Sequence, residues 1–196
     1  GDEYYQWYLN QHHLTTDGQN VAVEYRAMQE FYSLARHGRL LEARNLPQYR
    51  DYVVYERKNR ESARFAKVEA HWSKKQKAHL VPSHFYRRAP ADHSGRTLRV
   101  PCELGPERSK KLKELAGGAD FQAFTSDLAM FRIFSTALFA YLYRITGNRE
   151  LTIGTPSHNR LSATFRETPG LFIEMFPVQA QIVDGETFLS LFRKVA

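Results

Sequence analysis

Residues Gln11–Gly18 read Gln-His-His-Leu-Thr-Thr-Asp-Gly, a single glutamine followed by His-His-x-x-x-Asp-Gly. The stretch links an aromatic run over residues 3–9, whose composition predicts a strand, to an amphipathic segment that begins after Gly18. A chain passing from strand to helix through two imidazoles, a carboxylate and a glycine must turn sharply, and it must give the carboxylate a partner. Asp17 follows His13 by four residues. A titratable base therefore stands at the strand end, beside a group able to fix the local backbone.

The chemistry of such a turn can be read from the residues. Imidazole titrates near neutral pH, so a positioned histidine can take a proton from an amine or hydroxyl and return it. A carboxylate such as Asp17 can hold the loop by pairing with an arginine, because burial without a partner is costly. Gly18 lets the backbone approach a ligand or turn into the next helix, and the N–H groups of that turn can face a developing oxyanion. Two other uses fit the same residues. A histidine pair in a globular chain is often solvated or structural. Two histidines and an aspartate also suit zinc, but zinc sites recruit further His, Cys or Glu at short spacing, and none lies close in sequence.

The rest of the chain predicts a mixed α/β order. Val21, Val23, Met28, Phe31, Tyr32 and Leu34 approximate a helical stripe that Gly38 closes. Pro47 opens a second helix carrying Tyr49, Tyr52, Val53 and Glu56, and a charged helical segment follows to about Lys77. Val81–Arg96, with two prolines and a glycine, reads as a connector and internal boundary. Thr97–Leu104 suits a strand, and Pro106–Ala116 a basic helix stopped by Gly117-Gly118. The strongest helix spans about Thr125–Thr146, buried on most sides, with Leu128, Phe131, Phe134, Leu138 and Leu142 as its apolar face. Strands are expected at Leu151–Gly154 and within Leu171–Val183, then a helix over Thr187–Val195 with Phe188, Leu191 and Phe192 on one side.

At 196 residues and 42% hydrophobic content the chain can bury a sizeable core. No long uncharged apolar run suggests a membrane span, and no cationic-then-apolar leader opens it. Cys102 is the single cysteine, so no internal disulfide can form, which fits a reducing, cytoplasmic setting. Much of the +7 net charge falls between Arg57 and Arg88. Glu56, Glu61 and Glu69 interrupt this run and no nucleic-acid motif accompanies it. A solvated helix face is therefore expected, with an acidic protein partner as the alternative.

Two further segments extend the motif. Gly154-Thr155-Pro156-Ser157-His158-Asn159-Arg160 is Gly-x-Pro-x-x-Asn-Arg, and Pro169-Gly170-Leu171-Phe172-Ile173-Glu174-Met175-Phe176-Pro177 is Gly-x-Phe leading into a strand. In this order the three motifs resemble the condensation domains of nonribosomal peptide synthetases, members of the chloramphenicol acetyltransferase-like superfamily. Tyr49-Arg50-Asp51-Tyr52-Val53 and Leu142-Tyr143-Arg144-Ile145-Thr146-Gly147 also look like that family, so the resemblance covers nearly the whole chain.

The resemblance implies a two-lobe α/β (mixed α+β) fold with a tunnel between the lobes. Residues 1–80 would be the end of the first lobe and 81–196 a connector and the start of the second, so the chain resembles the middle of a domain more than twice its length. It implies amide-bond formation between a carrier-tethered acyl or peptidyl thioester and an aminoacyl amine, in nonribosomal peptide or hybrid polyketide-peptide biosynthesis. His13 would be the catalytic residue, as base or as positioning group, and the Gly18 N–H would face the reaction centre. Asp17 would pair with Arg160, and His12 would be structural. Gly154, Pro156, Asn159, Phe172 and Glu174 would lie near the tunnel. No metal or dissociable cofactor is implied. The 4′-phosphopantetheine arms belong to upstream and downstream carrier proteins, and an adenylation domain would be a neighbour. Neither nucleic acid nor membrane is an implied partner.

Two departures accompany the resemblance. Gln11 replaces the apolar residue usual before the histidines, and Glu174-Met175 stands where Asn-Thr is common. Within the superfamily, acyl-CoA-dependent acyltransferases share His-x-x-x-Asp but lack the other two motifs. Cyclisation relatives replace the first histidine with aspartate, unlike His12. Epimerisation relatives keep both histidines. Outside it, a non-catalytic carrier-protein docking domain is the competing class, and the intact histidines argue against it.

Overall fold

The computed structural model describes residues 6–76 and 98–195. Its longer elements, in chain order, are α1 (Gly18–Arg36), α2 (Tyr49–Arg60), α3 (Ala63–Gln76), α4 (Gly105–Gly117), α5 (Ser126–Thr146), β1 (Glu150–Ser157), α6 (Ala163–Arg166), β2 (Glu174–Gln181) and α7 (Phe188–Lys194). Strands β1 and β2 pair as a two-stranded sheet. The chain forms two compact units, one within Gly1–Ala78 and Pro156–Phe176, the other within His79–Thr155 and Pro177–Ala196. Residues 156–176 gather with the N-terminal helices.

In the first unit, α1 starts where Asp17 accepts a hydrogen bond from the Asn20 N–H as N-cap. It ends in a Schellman pattern, with Arg39 N–H donating to Leu34 O and Gly38 N–H to Ala35 O, Gly38 taking φ +69°. The buried side of α1 is Asn20, Val23 and Ala27. Val21, Met28 and Tyr32 of the expected stripe are instead exposed, because the packed side is chosen by the hydrogen bonds of Asn20 rather than by the largest side chains. Helix α2 begins two residues after Pro47, and Ser62 caps α3 by accepting from the Phe65 N–H. Tyr49, Tyr52, Tyr55, Phe165 and Phe172 form one aromatic cluster, with centroids 4.4 Å apart for Tyr52–Phe172 and 5.3 Å for Tyr52–Phe165.

In the second unit, Thr125 caps α5 and Gly147, at φ +73°, closes it. The buried stripe of α5 is Ala129, Ile133, Thr136, Phe139 and Leu142. Of the apolar face expected from the sequence, Leu128, Phe131, Phe134 and Leu138 are exposed and only Leu142 is buried. The small Ala129 and Thr136 admit close helix approach. Arg132 reinforces that side, donating to the Val195 and Phe192 carbonyls at 2.7 Å each and stacking on the Phe192 ring. By length and composition α5 alone among the described helices matches a membrane span, yet it packs against α4 and α7. Phe139, Leu142, Leu151, Ala180, Ile182 and Leu191 form the main core. A capping box between Thr187 and Ser190 starts α7.

Two expected strands are absent among the described residues. Segments 6–9 and 98–104 are irregular and largely exposed, and neither joins the two-stranded sheet. The expected connector Val81–Arg96 lies outside the described residues, as do Lys77, Arg87 and Arg88.

Candidate active site

The site begins with a turn. Thr15 N–H donates to His12 O at 2.9 Å, the Thr15 hydroxyl donates to the same carbonyl at 2.9 Å, and Leu14 N–H donates to His12 Nδ1 at 3.1 Å. Accepting at Nδ1 places the proton of neutral His12 on Nε2 and commits this ring to holding the turn. His13 sits inside the closed turn, exposed, with no hydrogen-bond partner among the described residues. The backbone thus presents one imidazole while the other fastens the loop.

Beneath the turn, Asp17 is buried and uses both oxygens. Oδ1 accepts from Asn20 N–H at 2.8 Å and from Arg160 Nη2 at 3.3 Å, and Oδ2 accepts from the N–H groups of Phe172 at 2.8 Å and Ile173 at 3.2 Å. Burial works against the charged carboxylate, but the Phe172 and Asn20 N–H groups and the Arg160 guanidinium outweigh it and hold Asp17 below the usual range. With both oxygens turned to these donors, Asp17 is not free to join the two histidines around a metal ion.

Arg160 is 1% exposed. Nη1 donates to Phe165 O at 2.8 Å and Thr168 O at 2.6 Å, Nη2 also donates to Gly170 O at 3.0 Å, and the guanidinium stacks 4.1 Å from the Phe172 ring centroid. One side chain therefore organises the loop from α6 to β2 and fixes it to the start of α1. Asn20 adds a second tie, donating to Thr16 Oγ1 at 2.6 Å and accepting from Gly170 N–H at 2.7 Å.

The remaining predicted residues divide. Phe172 is buried against Arg160 and the tyrosines, and Asn159, at φ +47°, donates through Nδ2 to Tyr52 Oη at 2.9 Å. Asn159 and Glu174 line a pocket of about 210 Å³ with Tyr52, Glu56, Arg60 and Phe165. Partial burial there and the Glu56 carboxylate push Glu174 above the ordinary carboxylate range, and the same two causes push Tyr52 up. Gly18 is the first residue of α1, exposed, with open space beside it. Pro156 is exposed on β1, and Gly154, also exposed, falls within the other unit.

Sequence reasoning did not single out Thr16, Asn20, Glu24, Tyr49, Tyr52, Thr168 or Gly170 as site residues. Asn20 carried a faint signal, as a buriable polar residue one turn beyond Asp17. Thr168 carried none, since it contributes a backbone carbonyl.

The sequence and the fold are similar to those of known proteins. The family model described as Condensation domain matches residues 1–196. The chain is 32% identical over 200 residues to cyclosporin synthetase simA of Tolypocladium inflatum, covering 100% of this chain and 1% of that protein. It is 31% identical over 192 residues to the bassianolide nonribosomal cyclodepsipeptide synthetase of Beauveria bassiana (strain ARSEF 2860), covering 94% of this chain and 6% of that one. Among solved structures, the first condensation domain of the CDA synthetase superposes with a TM-score of 0.74 at 27% identity, over 94% of this chain and 40% of that one. The epimerization domain from the third module of tyrocidine synthetase B gives 0.72 at 18% identity, a likeness of fold. The chain thus spans a small part of the synthetases it matches and well under half of the solved domain. Matched by that family model over residues 1–196, the chain belongs to the condensation domain family.

Proposed function

We propose that this chain carries the reaction centre of an amide-forming condensation domain in a nonribosomal peptide or hybrid polyketide-peptide synthetase, with His13 at that centre. The acceptor amine nitrogen attacks the carbonyl carbon of the donor thioester and forms the C–N bond. The C–S bond breaks, and the amine's proton leaves as the donor arm regains its thiol. His13 takes up that proton or orients the amine; a neutral α-amine is already nucleophilic, so orientation carries much of the rate. The first N–H groups of α1, Gly18 foremost, have no intrahelical acceptor and suit the tetrahedral oxyanion. His12, Asp17 and Arg160 support the turn. Pro156, Asn159, Phe172 and Glu174 belong to the same compact unit as the turn.

The observation that carries this proposal is the buried Asp17–Arg160 pair directly after the histidine turn, which pins the only unengaged imidazole of the motif at an exposed position. The substrates would arrive on 4′-phosphopantetheine arms of upstream and downstream carrier proteins, with an adenylation domain in the same assembly, in the cytoplasm. The relatives are named synthetases, which supports such neighbours.

The test is a loaded-carrier transfer assay in the protein that bears this chain. The upstream carrier receives an acyl group and the downstream carrier an amino acid, and intact-protein mass spectrometry follows the mass. Transfer to the downstream carrier that disappears in His13→Ala is expected. Undiminished transfer in that variant would sink the proposal; acylation of a free amine or alcohol from acyl-CoA would move the protein to the CoA-dependent branch.

A further inference from the structure

A cleft of about 340 Å³ opens beside the histidine turn, bounded by Leu14, Thr15, Glu24, Tyr49, Gly170 and Leu171. Its polar groups are unequally engaged. The Thr15 hydroxyl donates to His12 O, the Tyr49 hydroxyl donates to Leu171 O at 2.6 Å, and the Gly170 N–H donates to Asn20 Oδ1. Gly170 O and Leu171 O already accept from Arg160 and Tyr49. Glu24 differs. Its Oε1 accepts from the Gln11 amide at 2.7 Å, while Oε2 is buried without a hydrogen-bond partner. A buried carboxylate oxygen without a donor is unusual in a folded protein. No cationic side chain lines the cleft, and Glu24 makes no ion pair among the described residues. Arg160, whose carbonyl partners include Gly170 of the cleft wall, is committed to Asp17 and three carbonyls.

The cleft therefore combines apolar walls with an acceptor that bears an uncompensated charge, next to the turn that presents His13. A hydroxyl or amide would supply a donor but leave the charge; an alkylammonium supplies both donor and counter-charge, and its carbon stem fits Leu14 and Leu171. Gln11 gains a purpose in the same arrangement: its amide holds one oxygen of Glu24, and the other, buried without a partner, meets a ligand's donor when the side chain turns into the cleft. We propose that this cleft is an ammonium-binding subsite in which Glu24 is the counter-charge and Gln11 its positioning residue. The inference deepens the condensation proposal and rests on it for one point, that the ammonium is carried by the amine-bearing acceptor substrate. Glu24 then favours acceptors with a basic nitrogen and holds that group beside the histidine turn.

Binding tests this independently of turnover. The protein is methyl-labelled at leucine and titrated with n-butylammonium or with butan-1-ol, in wild type, Glu24→Gln and Gln11→Leu. Glu24→Gln is close to isosteric, and its leucine spectrum reports whether the fold is kept. Saturable shifts of the Leu14 and Leu171 methyls by n-butylammonium are expected, weakened about tenfold or more by Glu24→Gln and by exchange of the ammonium for the alcohol, and weakened less by Gln11→Leu. No saturable shift in wild type, an unchanged affinity in folded Glu24→Gln, or equal binding of the alcohol would each overturn the inference. The His13→Ala transfer result is unaffected by any of these outcomes, so failure of the subsite and failure of the condensation proposal are distinguishable.

Discussion

Arg160 and Asp17 lie 143 positions apart, yet they meet in an ion pair whose side chains are 1% and 0% exposed. The pair is a junction rather than an isolated contact. Asp17 is at once the N-cap of α1, the acceptor for two backbone N–H groups before β2, and the partner of an arginine that holds three carbonyls of the intervening loop. A buried pair of charges gives little net stability over an apolar substitute, but removing one member leaves the other uncompensated.

Asp17→Asn therefore strands a buried guanidinium and removes the charge that assists three bonds from backbone N–H groups. A cost of about 3–5 kcal/mol is expected in denaturant unfolding. Arg160→Met should cost a similar amount, because it strands Asp17 and three carbonyls. The double variant should cost less than the sum of the two single changes, since neither charge is then left alone. An additive double variant would show that the two residues act separately.

Acid should act through the same carboxylate. The folded-state pKa of Asp17 lies below its unfolded value, so its contribution to stability is fully present above the unfolded pKa and is lost as pH falls through the folded one. Unfolding midpoints measured downward from neutral pH should drop through the acid carboxylate range, and the drop should be shallower in Asp17→Asn. Equal slopes in the two proteins would refute Asp17 as the source.

Much of this junction is legible in the sequence. A carboxylate before glycine at a helix start needs donors, and Asp17 and Arg160 each sit in a recognisable motif. Helix ends were equally readable, since Gly38, Thr125, Gly147 and Thr187 act through local backbone chemistry. What the sequence hides is contact through space. Phe165, Thr168 and Gly170 serve through carbonyls, which leave no side-chain signature. The packed side of α5 could not be chosen by size, because apolar residues surround the helix and the side taken is the one with Ala129, Thr136 and Arg132. Glu24 lies thirteen positions from Gln11, and only the fold brings the two side chains together.

Glu174 carries the opposite pH dependence. Partial burial and the Glu56 carboxylate raise its folded-state pKa, with Arg60 opposing. Its ionised form therefore costs stability above the folded pKa, and protonation relieves that cost as pH falls. Glu174→Gln should raise the unfolding free energy at neutral pH by a small amount, under about 1 kcal/mol because much of the residue still faces solvent. The gain should vanish at low pH, where the wild-type carboxyl is protonated. A loss of stability at neutral pH would instead mean that the charge is needed where it stands.

Gly170 tests how tightly the loop is fitted to the second helix. At φ +141° it adopts backbone that a side chain rarely takes, and a Cβ there would lie 2.2 Å from Cδ2 of Tyr49. The ring cannot simply swing aside, because its hydroxyl donates to Leu171 O and it packs edge-to-face with Phe172, centroids 5.2 Å apart. Gly170→Ala should cost about 1–3 kcal/mol from backbone strain alone, with the steric clash added. Combining it with Tyr49→Ala should remove the clash but keep the strain, so the double variant should be more stable than the sum of the single changes predicts. Denaturation midpoints of the four proteins separate the two contributions. If the double variant shows no such rescue, the ring is not what excludes a side chain at position 170.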